Sequence, residues 1–99
     1  MSVIDLKFSP EMAAAALVGQ KCCTSRDERK CHRGDTFEIG GVWFRVVGII
    51  AARAADVAVE FYGPEGFDDV ESCSAALQTI YPHVGGHDLL FVHFFARCP

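Results

Sequence analysis

The sequence predicts a mixed α+β fold, a small β-barrel flanked by helices. Three observations carry that expectation. Extended and helical patterns interleave along one short chain, in the order strand, helix, loop with some strand, hairpin, helix, helix, strand. The first and last extended segments, Val3–Phe8 and Asp88–Cys98, are both apolar, which suits a sheet that closes and hides its edges. The 99 residues are 51% hydrophobic and 22% charged, enough for one modest core and unlike a disordered chain. Residues 1–99 are accordingly read as a single domain.

The elements follow in order. "VIDLKF" (Val3–Phe8) alternates apolar and polar side chains at period two, as a half-buried strand does. "SPEMAAAALVG" (Ser9–Gly19) opens with a capping serine and a first-turn proline and closes on a glycine, around an alanine run of high helix propensity. "DTFEIGGVWFRVVGII" (Asp35–Ile50) reads as a hairpin turning at Gly40-Gly41, in a register that sets Phe37 against Phe44 and Ile39 against Val42. Of Trp43 and Phe44, one belongs to the core and the other is free to stack on a base. "AADVAVEFYG" (Ala54–Gly63) reads as a helix ending in a turn at Gly63-Pro64. A further helix over Asp68–Pro82 starts from an Asp68/Glu71 capping pattern and aligns Val70, Cys73, Leu77 and Ile80 on one face. "DLLFVHFFARC" is apolar on both sides, as in a sheet covered on both faces. Within it His93 reads as a buried, hydrogen-bonded histidine rather than a catalyst.

Composition narrows the function classes. No apolar run approaches the roughly 20 residues of a membrane span. The start "MSVIDLKF" lacks the basic and apolar regions of a signal peptide, so the expected location is the cytoplasm, with reduced thiols. Five cysteines cannot all pair within one chain. A net charge of −4 argues against binding nucleic acid through overall basicity. Positive charge is concentrated instead: Gly19–Gly34 carries five bases (Lys21, Arg26, Arg29, Lys30, Arg33) against two acids. Such a patch on an acidic body focuses an anionic ligand locally.

That stretch, "GQKCCTSRDERKCHRG", invites several readings. Cys22, Cys23, Cys31 and His32 are four potential zinc ligands, but adjacent cysteines suit one tetrahedral ion poorly and no Cys-x-x-Cys pair is present. Neither a metal nor an organic cofactor is expected. A Cys22–Cys23 disulfide is disfavoured because neighbouring side chains point apart in an extended segment. Lys21 and Arg26 could activate a thiol, yet no histidine–acid partner accompanies either cysteine. What remains is Gly19-x-Lys21-x-x-Thr24-x-Arg26. In a plain strand Lys21 and Thr24 would point to opposite sides, so they converge only if the chain turns between them. A lysine in a poorly solvated pocket can act as a base toward a hydroxyl, and an arginine there can hold a planar or anionic group.

This pattern resembles the signature loop of the ASCH family, and so does "GDTFEI" at Gly34. The later "EFYGPEGFDD", "IYP" and "FVHFF" are similar to that family's C-terminal half, so the resemblance covers nearly the whole chain in order. It implies a PUA-like fold, a small β-barrel flanked by helices, that binds RNA or a modified nucleoside in a cleft beneath the loop. One branch of similar length hydrolyses the acyl amide of N4-acetylcytidine. Carried over, its residues are Lys21 as activating base, Thr24 as nucleophile and Glu65 as the proton-handling acid, with Glu60 and Glu71 as alternatives for the acid. Arg26 would bind the ligand, and Arg29, Lys30 and Arg33 would steer phosphate to the rim. Tyr62 and Phe67 either wall the pocket or pack the helices. The oligomeric state is open.

Overall fold

A computed structural model describes residues 1–99. Helix α1 (Pro10–Leu17) begins as its residue types dictate: the Ser9 side chain accepts from the Met12 N–H, and Pro10 fills the first turn, where no donor is needed. The chain leaves α1 with the Gln20 and Lys21 N–H groups both donating to the Ala15 carbonyl. It then enters the short strand β1 (Cys23–Arg26). After a loop over residues 27–35 come β2 (Thr36–Ile39) and β3 (Val42–Arg53). They pair antiparallel with Phe37 opposite Phe44 and Ile39 opposite Val42, the register expected from the sequence. Gly40 and Gly41 have φ of +55° and +84°, the left-handed pair that a tight two-residue hairpin requires. Helices α2 (Ala54–Glu65) and α3 (Val70–Ile80) follow, and β4 (Leu89–Arg97) closes the chain.

The four strands form one antiparallel sheet in the order β1-β4-β3-β2, curled into a half-barrel with the three helices around it. This is the small α+β architecture that the sequence predicts. A shift of register between Val46 and Gly48 places an extra residue in β3, and such a bulge bends and twists its strand. Because side chains alternate along β4, the strand feeds two cores. Phe95 joins Phe37, Phe44, Val46, Ile39 and Leu6 under α1, where Phe95 meets Phe37 and Phe44 edge-on. Leu90 and Val92 join Cys23 and Val57 under α2. Phe44 is thus the core aromatic of its pair, and Trp43 is 42% exposed. No helix is long and apolar enough to cross a membrane.

Four details depart from the expected elements. Val3–Phe8 is not a strand: it touches the sheet only through a parallel bridge from Val3 to Thr36. Within that bridge the Ile4 N–H donates to the Thr36 carbonyl at 2.8 Å. Beyond it the backbone is bonded elsewhere, the Lys7 carbonyl accepting from the Arg26 guanidinium, while the preceding Ser2 N–H donates to the Asp35 carboxylate. Helix α2 does not stop at Gly63-Pro64 but continues to Glu65. It bends at Phe61 (φ −125°, ψ 15°), three residues before the proline that disrupts its ladder. Asp69, not Asp68, caps α3, accepting from the Ser72 N–H at 2.7 Å. Ile80 is exposed, while Cys73 on the same helix is fully buried.

Candidate functional site

A cleft of about 200 Å3 opens along the free edge of β1, between the segment leading into α1 and the face of α3. Lys21, Thr24, Arg26 and Glu65 all line it, together with Ser25 and Tyr81. The convergence of Lys21 and Thr24 has a local cause. Lys21 sits in the turn that closes α1, ahead of the strand, so the alternation that would separate it from Thr24 has not begun. Because β1 is an edge strand, the cleft wraps around it and is reached by Thr24 and Ser25 alike.

Glu65 arrives from the far end of α2. The prolonged helix and its bend carry the carboxylate inward, and the Cys22 N–H donates to the Pro64 carbonyl at 2.7 Å, pinning this end of α2 to the start of β1. Gly66 caps the helix at φ +101°, and a Cβ there would lie 3.3 Å from the Cβ of Lys21. Only glycine allows both the left-handed turn and this approach.

The polar groups form one connected array. Lys21 Nζ donates to the Glu65 backbone carbonyl at 2.7 Å and to Glu65 Oε1 at 3.2 Å. Ser25 Oγ donates to Glu65 Oε2. The three residues are 4%, 3% and 5% exposed, so this is a buried ion pair with a hydroxyl attached. Thr24 Oγ1 accepts from Arg26 Nε at 3.2 Å, while Arg26 Nη2 donates to the Lys7 carbonyl at 2.8 Å and the guanidinium lies over the Phe8 ring. Glu60 and Glu71, the alternative carboxylates, are exposed and outside the cleft lining. Behind the array lie two buried thiols: burial holds Cys23 far above the ordinary thiol range and Cys73 at about 11, with the Glu65 charge acting in the same direction.

His93, opposite Thr24 in the sheet, is fully buried and uses both ring nitrogens. Nε2 accepts from the Lys30 N–H at 3.0 Å, so Nδ1 carries the proton shared with the Thr24 carbonyl at 3.2 Å. Desolvation holds its pKa below the usual imidazole value. Arg29, Lys30 and Arg33 lie exposed on the 27–35 loop, outside the cleft lining, and Lys30 faces Glu28 at 3.5 Å. Of the two flanking aromatics, Phe67 lines the cleft and Tyr62 does not. The candidate zinc ligands are dispersed, with Cys23 and Cys31 in different cores and Cys22 exposed. No three His, Cys, Asp or Glu side chains converge closely enough to hold a metal.

Sequence reasoning overlooked Ser25 and Tyr81. A serine next to Thr24 in a strand points to the opposite face, which reads as core. Its partner, Glu65, lies 40 residues away, beyond any local pattern.

No protein-family model and no curated protein matches the sequence. Among solved structures, the fold is similar to that of an ASCH domain from Lactobacillus crispatus JV V101, with a TM-score of 0.72 and 15% identity over 97% of this chain and 78% of that one. It is also similar to a DUF984 protein of Enterococcus faecalis V583, with a TM-score of 0.64 and 15% identity over 87% of this chain and 66% of that one. Identity this low makes the likeness one of fold. The chain has the fold of an ASCH domain.

Proposed function

We propose that the chain binds a small modified nucleoside in the cleft lined by Lys21, Thr24, Arg26 and Glu65. The observation that carries this reading is the convergence of these four side chains, from two distant parts of the chain, on one concave site. At about 200 Å3 the cleft is smaller than the roughly 300–1,000 Å3 of pockets for drug-sized ligands, which favours a ring-sized group. Arg26 over Phe8 offers a flat cationic surface and fixed donors for a heterocycle or its acyl oxygen. The net charge of −4 favours a small ligand over a long RNA, and the exposed Arg29, Lys30 and Arg33 lie outside the cleft lining, where they would not touch an uncharged nucleoside.

A second reading, hydrolysis of an exocyclic amide such as that of N4-acetylcytidine, is favoured by one observation: a single carboxylate contacts both an ammonium and a hydroxyl inside the cleft. An acid–base pair next to a nucleophile is what acyl transfer needs.

One experiment addresses both. The purified chain is titrated with cytidine and N4-acetylcytidine by calorimetry while cytidine release is followed by chromatography. Lys21→Ala and the triple variant of Arg29, Lys30 and Arg33 to Ala serve as controls. Binding lost in a Lys21→Ala variant that circular dichroism shows to be folded, and kept in the triple variant, is the expected result. Release of cytidine adds the hydrolase reading. No binding of either nucleoside, or binding untouched by Lys21→Ala, overturns the cleft assignment.

A further inference from the structure

We infer that Ser25, not Thr24, is the hydroxyl that accepts the acyl group. The inference rests on the hydrolase reading and concerns the division of labour between two adjacent hydroxyls. Both line the cleft, but their partners differ in kind. Thr24 Oγ1 accepts a hydrogen bond from the Arg26 guanidinium, which draws electron density away from the oxygen, and neither Lys21 nor Glu65 is within hydrogen-bond reach of it. Ser25 Oγ donates its proton to the Glu65 carboxylate, the arrangement of a nucleophile with its base already in place. Lys21 has three N–H donors and spends two on Glu65, so one remains for a ligand.

The chemistry closes on these residues alone. As Ser25 Oγ attacks the acyl carbon, its proton passes to Glu65 Oε2. The C–N bond breaks, and the Lys21 ammonium protonates the leaving nitrogen. The proton on Glu65 then returns across the ion pair to Lys21, restoring both charges. Water attacks the Ser25 ester and gives a proton, through Glu65, to the departing Oγ, leaving a carboxylic acid and the free amine. Thr24 and Arg26 donate hydrogen bonds to the acyl oxygen as its negative charge grows.

The test needs no guess about folding. Wild-type protein is mixed with N4-acetylcytidine, quenched in acid on the millisecond scale and digested with trypsin. Cleavage after Lys21 and Arg26 releases the peptide Cys22–Arg26, whose fragment ions distinguish an acetyl group on Thr24 from one on Ser25. Turnover is measured in parallel for Ser25→Ala, Ser25→Cys and Thr24→Ala. Acetyl on Ser25, at least a 1,000-fold loss of kcat in Ser25→Ala and measurable turnover in Ser25→Cys support the inference. Acetyl on Thr24, or kcat in Ser25→Ala within tenfold of wild type, overturns it and leaves the hydrolase reading standing. Turnover without an adduct on either residue also overturns it, reducing Ser25 to a support for Glu65. Absence of turnover in the wild type overturns the hydrolase reading, and this inference with it.

Discussion

Removing the Glu65 carboxylate should destabilise the whole protein, well beyond any loss of ligand binding. Breaking a buried ion pair by deleting one partner costs about 3–5 kcal/mol, because the surviving charge stays desolvated. In Glu65→Ala the Lys21 ammonium keeps one acceptor, the residue 65 backbone carbonyl now 2.7 Å away, which favours the lower end, about 3 kcal/mol. For a chain of this size, with a urea m-value of about 1–2 kcal/mol/M, the unfolding midpoint should fall by about 1.5 M or more. The double variant Lys21→Met/Glu65→Leu removes both charges and fills their volume with apolar groups, so it should recover most of the loss despite the unpaired Ser25 hydroxyl. Urea titrations followed by tryptophan fluorescence and by circular dichroism give both numbers. A single variant within about 1 kcal/mol of wild type would refute the reasoning, for it would mean that water reaches the pair.

Stability should also fall in acid, beginning near pH 6.5. His93 is held neutral by burial, so its folded pKa lies below the unfolded one. Above pH 6.5 the ring is neutral in both states. Below it the unfolded chain takes up a proton that the folded chain refuses, at a slope of up to about 1.4 kcal/mol per pH unit. Urea midpoints between pH 5 and 8 check this. A second acid loss begins lower, below about pH 4, as Asp35 protonates: the His32 and Ser2 N–H groups hold its carboxyl below the usual range, so its contribution exists above the unfolded pKa and fades beneath it. Phe95→Ala should cost about 3–5 kcal/mol, since the ring packs against Phe8, Phe37 and Phe44 and leaves a cavity when removed. A thiol reagent added to folded protein should modify Cys22 first and leave Cys23, Cys31 and Cys73 until urea unfolds the chain, as counted by mass spectrometry.

What the sequence revealed tracks how local each signal is. The Ser9 cap, the Gly40-Gly41 turn and the hairpin register depend on residues within a few positions of one another, and all were readable. The identity of the carboxylate in the cleft was not. It depends on α2 running on past Gly63-Pro64 and bending at Phe61, which swings Glu65 inward and leaves Glu60 in solvent. The strand expected over Val3–Phe8 failed for a related reason. Its alternation describes burial of side chains, with Leu6 in the core, while its backbone makes a single bridge to β2 through the Ile4 N–H and is otherwise held at Lys7 by the Arg26 guanidinium, with no continuous ladder. Lys21, Thr24 and Arg26 were legible as a pattern, and the turn that unites them was anticipated as a need without its cause.

The twelve buried members of the two apolar clusters share no residue with the cleft lining. Side chains that reach only the cleft can therefore change while the aromatic packing under α1 and the aliphatic packing under α2 persist, whereas Phe8, Leu77 and Tyr81 line the cleft and pack against those clusters at once. A scaffold divided in this way can exchange one ligand for another without being rebuilt, and its lineages can drift far apart in wording while keeping the same shape. For the engineer, substitutions at Thr24 or Phe67 explore new ligands at little risk to the packing, whereas Arg26 also holds the Lys7 carbonyl and the Phe8 ring in place. Lys21 and Glu65 do not share that freedom and have to be replaced together.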